Sequence, residues 1–295
     1  MQTSFFIVFI FPTDKYSSIW YNMRYKEKRT TRKMAKRRKL RVNRVIGIVL
    51  IGISIFFGYK AIKELETEKH FTSVSNDVQK IATNEETNGK DVVRNDYMDR
   101  KIDFAALLNK NEDTYAWLTV PNTPIDYPVM KEPVPDQYFY LTHDFNKNYY
   151  IGGSLFIANV PEDMHTIIFG HKMFSNTDTI WSNTEAIAFS SLTRYQDQAY
   201  GTANPDLYMY YPDRTEHWTL WAMINGDAYD NVYNTPYMAE SLEYQNLLTE
   251  LKDKADYTLG DDPKTSDKIT VLSTCKSVEE GNTERIQLIY KLVKN

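Results

Sequence analysis

The stretch Ile269-Thr270-Val271-Leu272-Ser273-Thr274-Cys275 is rich in β-branched residues and predicts a buried β-strand. It ends at the only cysteine of the 295-residue chain. A single thiol can form no disulfide within the chain, so a cysteine at a strand end indicates a thiol kept for chemistry. The alternative is a cysteine that serves only as a small buried hydrophobic residue. The residues around the strand decide between these interpretations.

His171 is the candidate partner of this thiol. A nucleophilic cysteine needs a group that raises its thiolate fraction or accepts its proton, and histidine commonly does both. Among the five histidines, only His171 leaves a short apolar strand, Thr166-Ile167-Ile168-Phe169, through a glycine, Gly170. It therefore occupies a strand end, as Cys275 does. We interpret the other histidines as structural and expect no metal site: His70, His143, His165 and His217.

Arg285 begins a second alternating strand, Arg285 to Leu292, ten residues after the cysteine. The intervening segment contains Gly281 and Asn282 and has the length of a loop between neighbouring strands. A guanidinium group stays charged and offers forked donors, which suit a developing oxyanion or a peptide carbonyl. The alternative is an arginine on a solvated strand face.

Together these motifs resemble the sortases, the cysteine transpeptidases of Gram-positive cell surfaces. Four further stretches resemble the class B sortases: Tyr115 to Val120, Ile125 to Val129, Tyr138 to Leu141 and Gly152 to Ile157. The resemblance runs from about Tyr97 to the C-terminus. The chain departs from the class B pattern at Val271, where threonine is common, at Phe169, where tyrosine is usual, and at Lys172, where asparagine is usual.

The resemblance implies a mostly β fold with peripheral helices, namely a sortase-like closed β-barrel. It also implies N-terminal helices and a helix between the sixth and seventh strands, the seventh ending at Cys275. Cys275, His171 and Arg285 would be catalytic, and no cofactor is implied. Residues expected to contact the substrate are Ser273, Thr274 and Tyr229.

Local patterns support this architecture independently. Short strands separated by turn signals favour a mostly antiparallel barrel or sandwich. Apolar residues spaced as on one helix face predict a helix that begins near residues 234–236, with the stripe Tyr244, Leu247, Leu248 and Leu251. The shorter stripe of Phe104, Leu107 and Leu108 predicts a second helix that packs on the domain.

Charge is distributed unevenly along the chain. Residues 1–44 contain 13 Lys and Arg against Asp14 and Glu27, a net charge of +11, which leaves −15 for the rest. The run from Val45 to Tyr59 is uncharged and largely apolar. This order is typical of a signal-anchor. We therefore predict a basic cytoplasmic N-terminus over 1–44, an anchor over 45–62, an extracellular stalk over 63–95 and a catalytic domain over 96–295. Met34 offers an alternative start site.

These observations predict a single-pass cell-membrane enzyme whose catalytic domain is extracellular. It would cleave a C-terminal sorting signal after threonine through a cysteine thioester and transfer the acyl group to an amine. The expected partners are a surface protein that bears the signal and an acceptor amine from a cell-wall peptide or a pilin lysine, with no nucleic acid. Two alternatives remain: a cysteine peptidase that uses water, and a surface binding protein that has lost activity.

Overall fold

The computed structural model describes residues 14–83, 96–133, 138–157, 164–173, 189–234, 236–276 and 281–294. The chain divides into two compact units, residues 1–63 and 64–295. Helix α1 spans Asp14–Thr83 and so contributes to both units. Within the described residues, no helix combines the length and hydropathy of a membrane span. The first residues of the predicted basic N-terminus, 1–13, and the end of the predicted stalk, 84–95, lie outside the described residues.

Nine strands build the second unit. Eight of them close into a barrel in the order β5-β1-β2-β3-β4-β8-β9-β6, because β5 also pairs with β6, and β7 adds to β6 outside the barrel. The β2–β3 and β4–β8 pairs are parallel and the others antiparallel. The predicted closed barrel is thus confirmed, with mixed strand directions. The strands are β1 Thr114–Thr119, β2 Asp126–Lys131, β3 Leu155–Ile157, β4 His165–Phe169, β5 Asp206–Tyr210, β6 Thr215–Asp227, β7 Tyr257–Thr258, β8 Ile269–Cys275 and β9 Glu284–Leu292.

The described helices that follow α1 lie before β1 or between strands. They are α2 Phe104–Lys110, α3 Gln198–Ala203 and α4 Leu242–Lys254, with 3-10 turns at Phe139–Leu141, Ser190–Gln196 and Asn231–Tyr233. Helix α4 buries the predicted stripe. It begins later than predicted, because the Ser241 side chain accepts the Tyr244 N–H and caps the helix there. The strand that ends at Cys275 is the seventh strand of the barrel, as predicted, and carries the label β8 because the short β7 outside the barrel precedes it.

Alternation along β8 divides its side chains between two cores. Leu272 faces the barrel interior, where it packs with Ile286 and Leu288 of β9. Val271 faces outward, where the apolar stripe of α4 covers it. Cys275 shares this outward parity with Val271. The nucleophile candidate therefore lies on the outer face of the barrel, the face that α4 covers.

The end of helix α1 packs on the barrel. Val78 and Ala82 are buried among Phe104, Leu107 and Trp117. The main chain continues this contact, because the Asp103 N–H donates to the Ala82 carbonyl at 2.8 Å. The predicted stalk is therefore helical as far as Thr83, and this part contacts the catalytic domain.

Candidate active site

Strand β8 brings the three predicted catalytic residues to one end of the sheet. It pairs with β4 in parallel, with Phe169 opposite Ser273, and with β9 antiparallel, with Cys275 opposite Arg285. The Gly170 N–H extends the first ladder by donating to the Ser273 carbonyl at 3.2 Å. His171 consequently leaves β4 at the same end at which Cys275 completes β8.

Gly170 permits this exit from β4. A Cβ atom at this position would lie 2.5 Å from Cδ2 of Leu155 and 2.7 Å from Cδ2 of Phe189. Either contact is too short for a side chain, so only glycine lets the main chain pass here. The main chain of His171 is held as well, because the Phe189 N–H donates to the His171 carbonyl at 3.1 Å.

The imidazole of His171 is oriented by one backbone carbonyl. Its Nε2 lies 2.8 Å from the Leu141 carbonyl oxygen, which can only accept, so Nε2 carries a proton and donates it. Burial lowers the pKa of His171, and the bond to Leu141 offsets part of that effect. The imidazole is therefore neutral at neutral pH, with Nδ1 as the acceptor. Because folding disfavours the imidazolium, stability is lost as pH falls through the lowered pKa.

Cys275 and Arg285 are both half-buried. The guanidinium of Arg285 bonds to its own loop, with Nη1 donating to the carbonyls of Asn282 at 2.9 Å and Glu284 at 3.1 Å. These bonds use one of its nitrogens. The group is thus held beside the strand end, and its Nε and Nη2 donors have no hydrogen-bond partner among the described residues.

The predicted substrate contacts lie in three different environments. Ser273 is buried, with Oγ 2.7 Å from the Tyr233 hydroxyl. Thr274 is buried on the face that points into the barrel, opposite Ile286, and its hydroxyl has no hydrogen-bond partner among the described residues. Tyr229 is 85% exposed in the loop after β6. Only Tyr229 is directly accessible to a bound peptide.

A hydrogen-bonded network beneath the thiol was missed by the sequence analysis. Gln287 is fully buried, and its Nε2 donates to the Tyr233 hydroxyl at 3.2 Å and to Asp230 Oδ2 at 2.9 Å. Asp230 Oδ1 pairs with Lys254 at 2.8 Å. Burial would raise the pKa of Asp230, but its bonds to Lys254, the Asp227 N–H and Gln287 lower it. The network joins β8, β9, the loop after β6 and α4.

Lys172 also lies beside the site, and the sequence analysis assigned it no role. Its side chain is 8% exposed, and its ammonium donates to the Lys276 carbonyl at 2.6 Å. The sequence marks it only as a departure from the class B pattern.

A small pocket lies elsewhere, where the end of α1 meets the barrel. His70, Tyr127 and Tyr150 line it, and His70 pairs there with the buried Asp144 at 2.9 Å. Neither Cys275 nor His171 lines it. In the described part of the chain, no group of His, Cys, Asp and Glu side chains is arranged to hold a metal ion.

Comparisons with known proteins give a consistent result. No protein-family model matches the chain. The sortase B of Listeria monocytogenes is 27% identical over 252 residues, which cover 83% of this chain and 94% of the relative. The sortase B of Staphylococcus aureus is 24% identical over 264 residues, which cover 85% of this chain and 96% of the relative.

Solved structures share the fold. The sortase B of Clostridium perfringens matches with a TM-score of 0.55 and 25% identity, over 64% of this chain and 99% of that one. The sortase B of Bacillus anthracis matches with a TM-score of 0.61 and 20% identity, over 78% and 100%. A complex of Staphylococcus aureus sortase B with substrate matches with a TM-score of 0.55 and 20% identity, over 80% and 97%.

The bond between Tyr233 and Ser273 can be measured by a double-mutant cycle. We expect Tyr233→Phe and Ser273→Ala to be coupled by about 1 kcal/mol in the free energy of unfolding, because each change leaves the other group buried without its partner. Urea denaturation of the two single variants and the double variant measures the coupling. Tyr195→Phe combined with Ser273→Ala is the control, since the Tyr195 hydroxyl bonds to the Asn204 carbonyl instead. If the effects of Tyr233→Phe and Ser273→Ala on the free energy of unfolding were additive, the bond would be contradicted.

Proposed function

Because the chain is a class B sortase homologue, and therefore a cysteine transpeptidase, we propose that Cys275 is its nucleophile. His171 is the acid–base group and Arg285 the oxyanion donor. One observation carries this assignment: the β4–β8–β9 ladder places all three residues at one end of the sheet. These residue types supply the nucleophile, the proton carrier and the charge stabilisation that acyl transfer needs.

The first half-reaction forms a thioester. The Cys275 thiol passes its proton to His171 Nδ1. The resulting thiolate attacks the carbonyl carbon of the scissile peptide bond, and negative charge develops on the carbonyl oxygen. Arg285 and main-chain N–H groups donate to this oxygen. The C–N bond then breaks, and the leaving amine takes its proton from the His171 imidazolium. The products are an acyl-enzyme, a free amine and a neutral imidazole.

The second half-reaction resolves the thioester. An incoming amine attacks the thioester carbonyl and loses a proton to His171 Nδ1 as its C–N bond forms. The C–S bond breaks and returns the thiolate. The imidazolium is restored at the same time, so the two half-reactions form a closed cycle.

The substrate of this cycle is a C-terminal sorting signal cleaved after threonine, and the acceptor is an amine of a cell-wall peptide or a pilin. The substrate complex of the Staphylococcus aureus relative supports the first partner. Tyr229 contacts the peptide from the loop after β6. Ser273 and Thr274 contribute without direct exposure to the peptide. Ser273 fixes the Tyr233 hydroxyl, and Thr274 supports the strand end from the barrel interior.

We propose that the enzyme acts at the cell surface, which its similarity to sortase B supports, and that residues 45–62 attach it to the membrane. These residues belong to α1, and the large apolar side chains described there are exposed, among them Ile48, Leu50 and Phe56. With a length of about 18 residues, the segment is close to the 20 or so that cross a bilayer. The basic residues before it orient the N-terminus to the cytoplasm.

Protease treatment of intact cells should degrade the catalytic domain, and its protection until permeabilisation would contradict this orientation.

Replacement of the thiol tests the function. We expect Cys275→Ala to lower peptide cleavage more than about a thousandfold, because the covalent route disappears, while the melting temperature stays close to that of the wild type. Cleavage of a fluorogenic sorting peptide measures the loss. Retention of a tenth of wild-type cleavage would exclude Cys275 as the nucleophile.

The same assay separates the alternatives when an amine is added. A transpeptidase yields the amide of the added amine, whereas a cysteine peptidase yields only the carboxylic acid. Mass spectrometry distinguishes the two products and detects an acyl adduct on Cys275. A binding protein without activity would give neither product nor adduct.

Arg285→Lys tests the oxyanion donor. Lysine keeps the charge and loses the forked geometry, so we expect a loss of about 2 to 4 kcal/mol in transition-state stabilisation, read from kcat/KM. Arg214→Lys is the matched control, because Arg214 forms its ion pairs with Asp213 and Glu216 on the β5–β6 hairpin. Near-wild-type turnover of Arg285→Lys would leave Arg285 as a surface charge.

A further inference from the structure

Lys172 is a buried cation next to the reactive thiol. Its ammonium donates to the carbonyl of Lys276, the residue that directly follows Cys275, at 2.6 Å. Only 8% of Lys172 is exposed. Burial lowers the pKa of Lys172, and its electrostatic interaction with Cys275 offsets part of that shift. The side chain therefore reaches from the exit of β4 across to the end of β8.

This ammonium lacks an anionic partner among the described residues. It has three donors, and the Lys276 carbonyl is the one acceptor that the described residues provide. A buried charge is costly unless an opposite charge compensates it. The nearby carboxylates are engaged elsewhere: Glu284 pairs with the Lys276 ammonium at 3.3 Å, and Asp230 pairs with Lys254.

The remaining titratable groups around the thiol do not supply an anion. Arg285, opposite Cys275, is a cation, and His171 is a neutral imidazole whose pKa burial lowers. Tyr233 faces the site from the loop after β6, and burial raises its pKa, so that its hydroxyl stays neutral. Within the described part of the chain, the thiolate of Cys275 is the anion left to balance Lys172.

We propose that Lys172 is a positioning residue for the transpeptidation, whose ammonium stabilises the Cys275 thiolate and so raises the fraction of enzyme ready to attack. This proposal rests on the assignment of Cys275 as the nucleophile. The neutral His171 cannot supply this stabilisation in the resting state. The asparagine usual at this position in class B sortases could donate a hydrogen bond but could not contribute a charge.

A purely structural role makes a different prediction. Lys172 could act only as a tether that joins the exits of β4 and β8 through the Lys276 carbonyl. Lys172→Gln keeps an N–H donor for that carbonyl and removes the charge. Lys172→Met removes both, and Lys172→Arg keeps both. The three substitutions therefore separate the charge from the tether.

The experiment is the pH dependence of Cys275 alkylation by iodoacetamide in the full-length protein. The wild type sets the reference for the apparent pKa of this thiol, which in a free cysteine lies near ~8.5. Lys172→Gln and Lys172→Met should each raise the apparent pKa by about one unit, which is about tenfold less thiolate at pH 7. Lys172→Arg should stay close to the wild type.

Lys291→Gln is the matched control. Its ammonium also donates to a main-chain carbonyl, that of Asp261 at 2.7 Å, but at the opposite end of the β8–β9 ladder. We expect this variant to titrate as the wild type does. Thermal melts of every variant show that the fold is retained.

Unchanged apparent pKa values in both Lys172→Gln and Lys172→Met would overturn the proposal. So would a shift in Lys172→Met alone, which would identify a tether. The alkylation rate reports the thiol without peptide cleavage. Failure of this inference is therefore distinct from failure of the proposed function, which Cys275→Ala tests by cleavage.

Discussion

The site depends on the hydrogen-bonded register of β8 between a parallel β4 and an antiparallel β9. Parallel pairing makes the exits of β4 and β8 coincide, so His171 and Cys275 leave the sheet together. Antiparallel pairing sets the start of β9 opposite the end of β8, which places Arg285 across from Cys275. A slip of one residue would turn Cys275 toward the barrel interior, because side chains alternate with period two. The apolar residues of both faces therefore also fix the orientation of the thiol.

The outer face of β8 is stabilised by polar contacts near the thiol and by apolar contacts farther along the strand. Val271 packs under α4, whereas Ser273, one step closer to Cys275, bonds to Tyr233. Tyr233 in turn accepts from Gln287 of β9. A loop that carries exposed groups such as Tyr229 is thus fixed to the two strands that carry Cys275 and Arg285. We infer that this polar network transmits the position of the loop to the reactive end of the sheet.

The sequence predicts those structural elements that are specified by the local pattern of apolar and polar residues. The strands around Cys275, His171 and Arg285 could be predicted because β-branched and alternating residues specify them. The apolar stripe of α4 could be predicted from the spacing of its residues. The predicted start of α4 near residues 234–236 was wrong, because the helix is capped by Ser241, whose side chain accepts the Tyr244 N–H. Alternation correctly puts Ser273 on the face of Cys275. Its burial under Tyr233 was not predictable, because that contact joins residues 40 positions apart.

Electrostatics at the site follow from burial. A thiolate with an imidazolium is the reactive combination, yet burial of His171 disfavours the imidazolium and so reduces this form. A cation beside the thiol can lower the energy of the thiolate without a proton on His171. Arg285 begins β9 opposite the thiol, and Lys172 bonds to the carbonyl that follows it. Two cations beside one thiol would repel each other if the thiol stayed protonated. A negative charge on the sulfur atom would offset that repulsion.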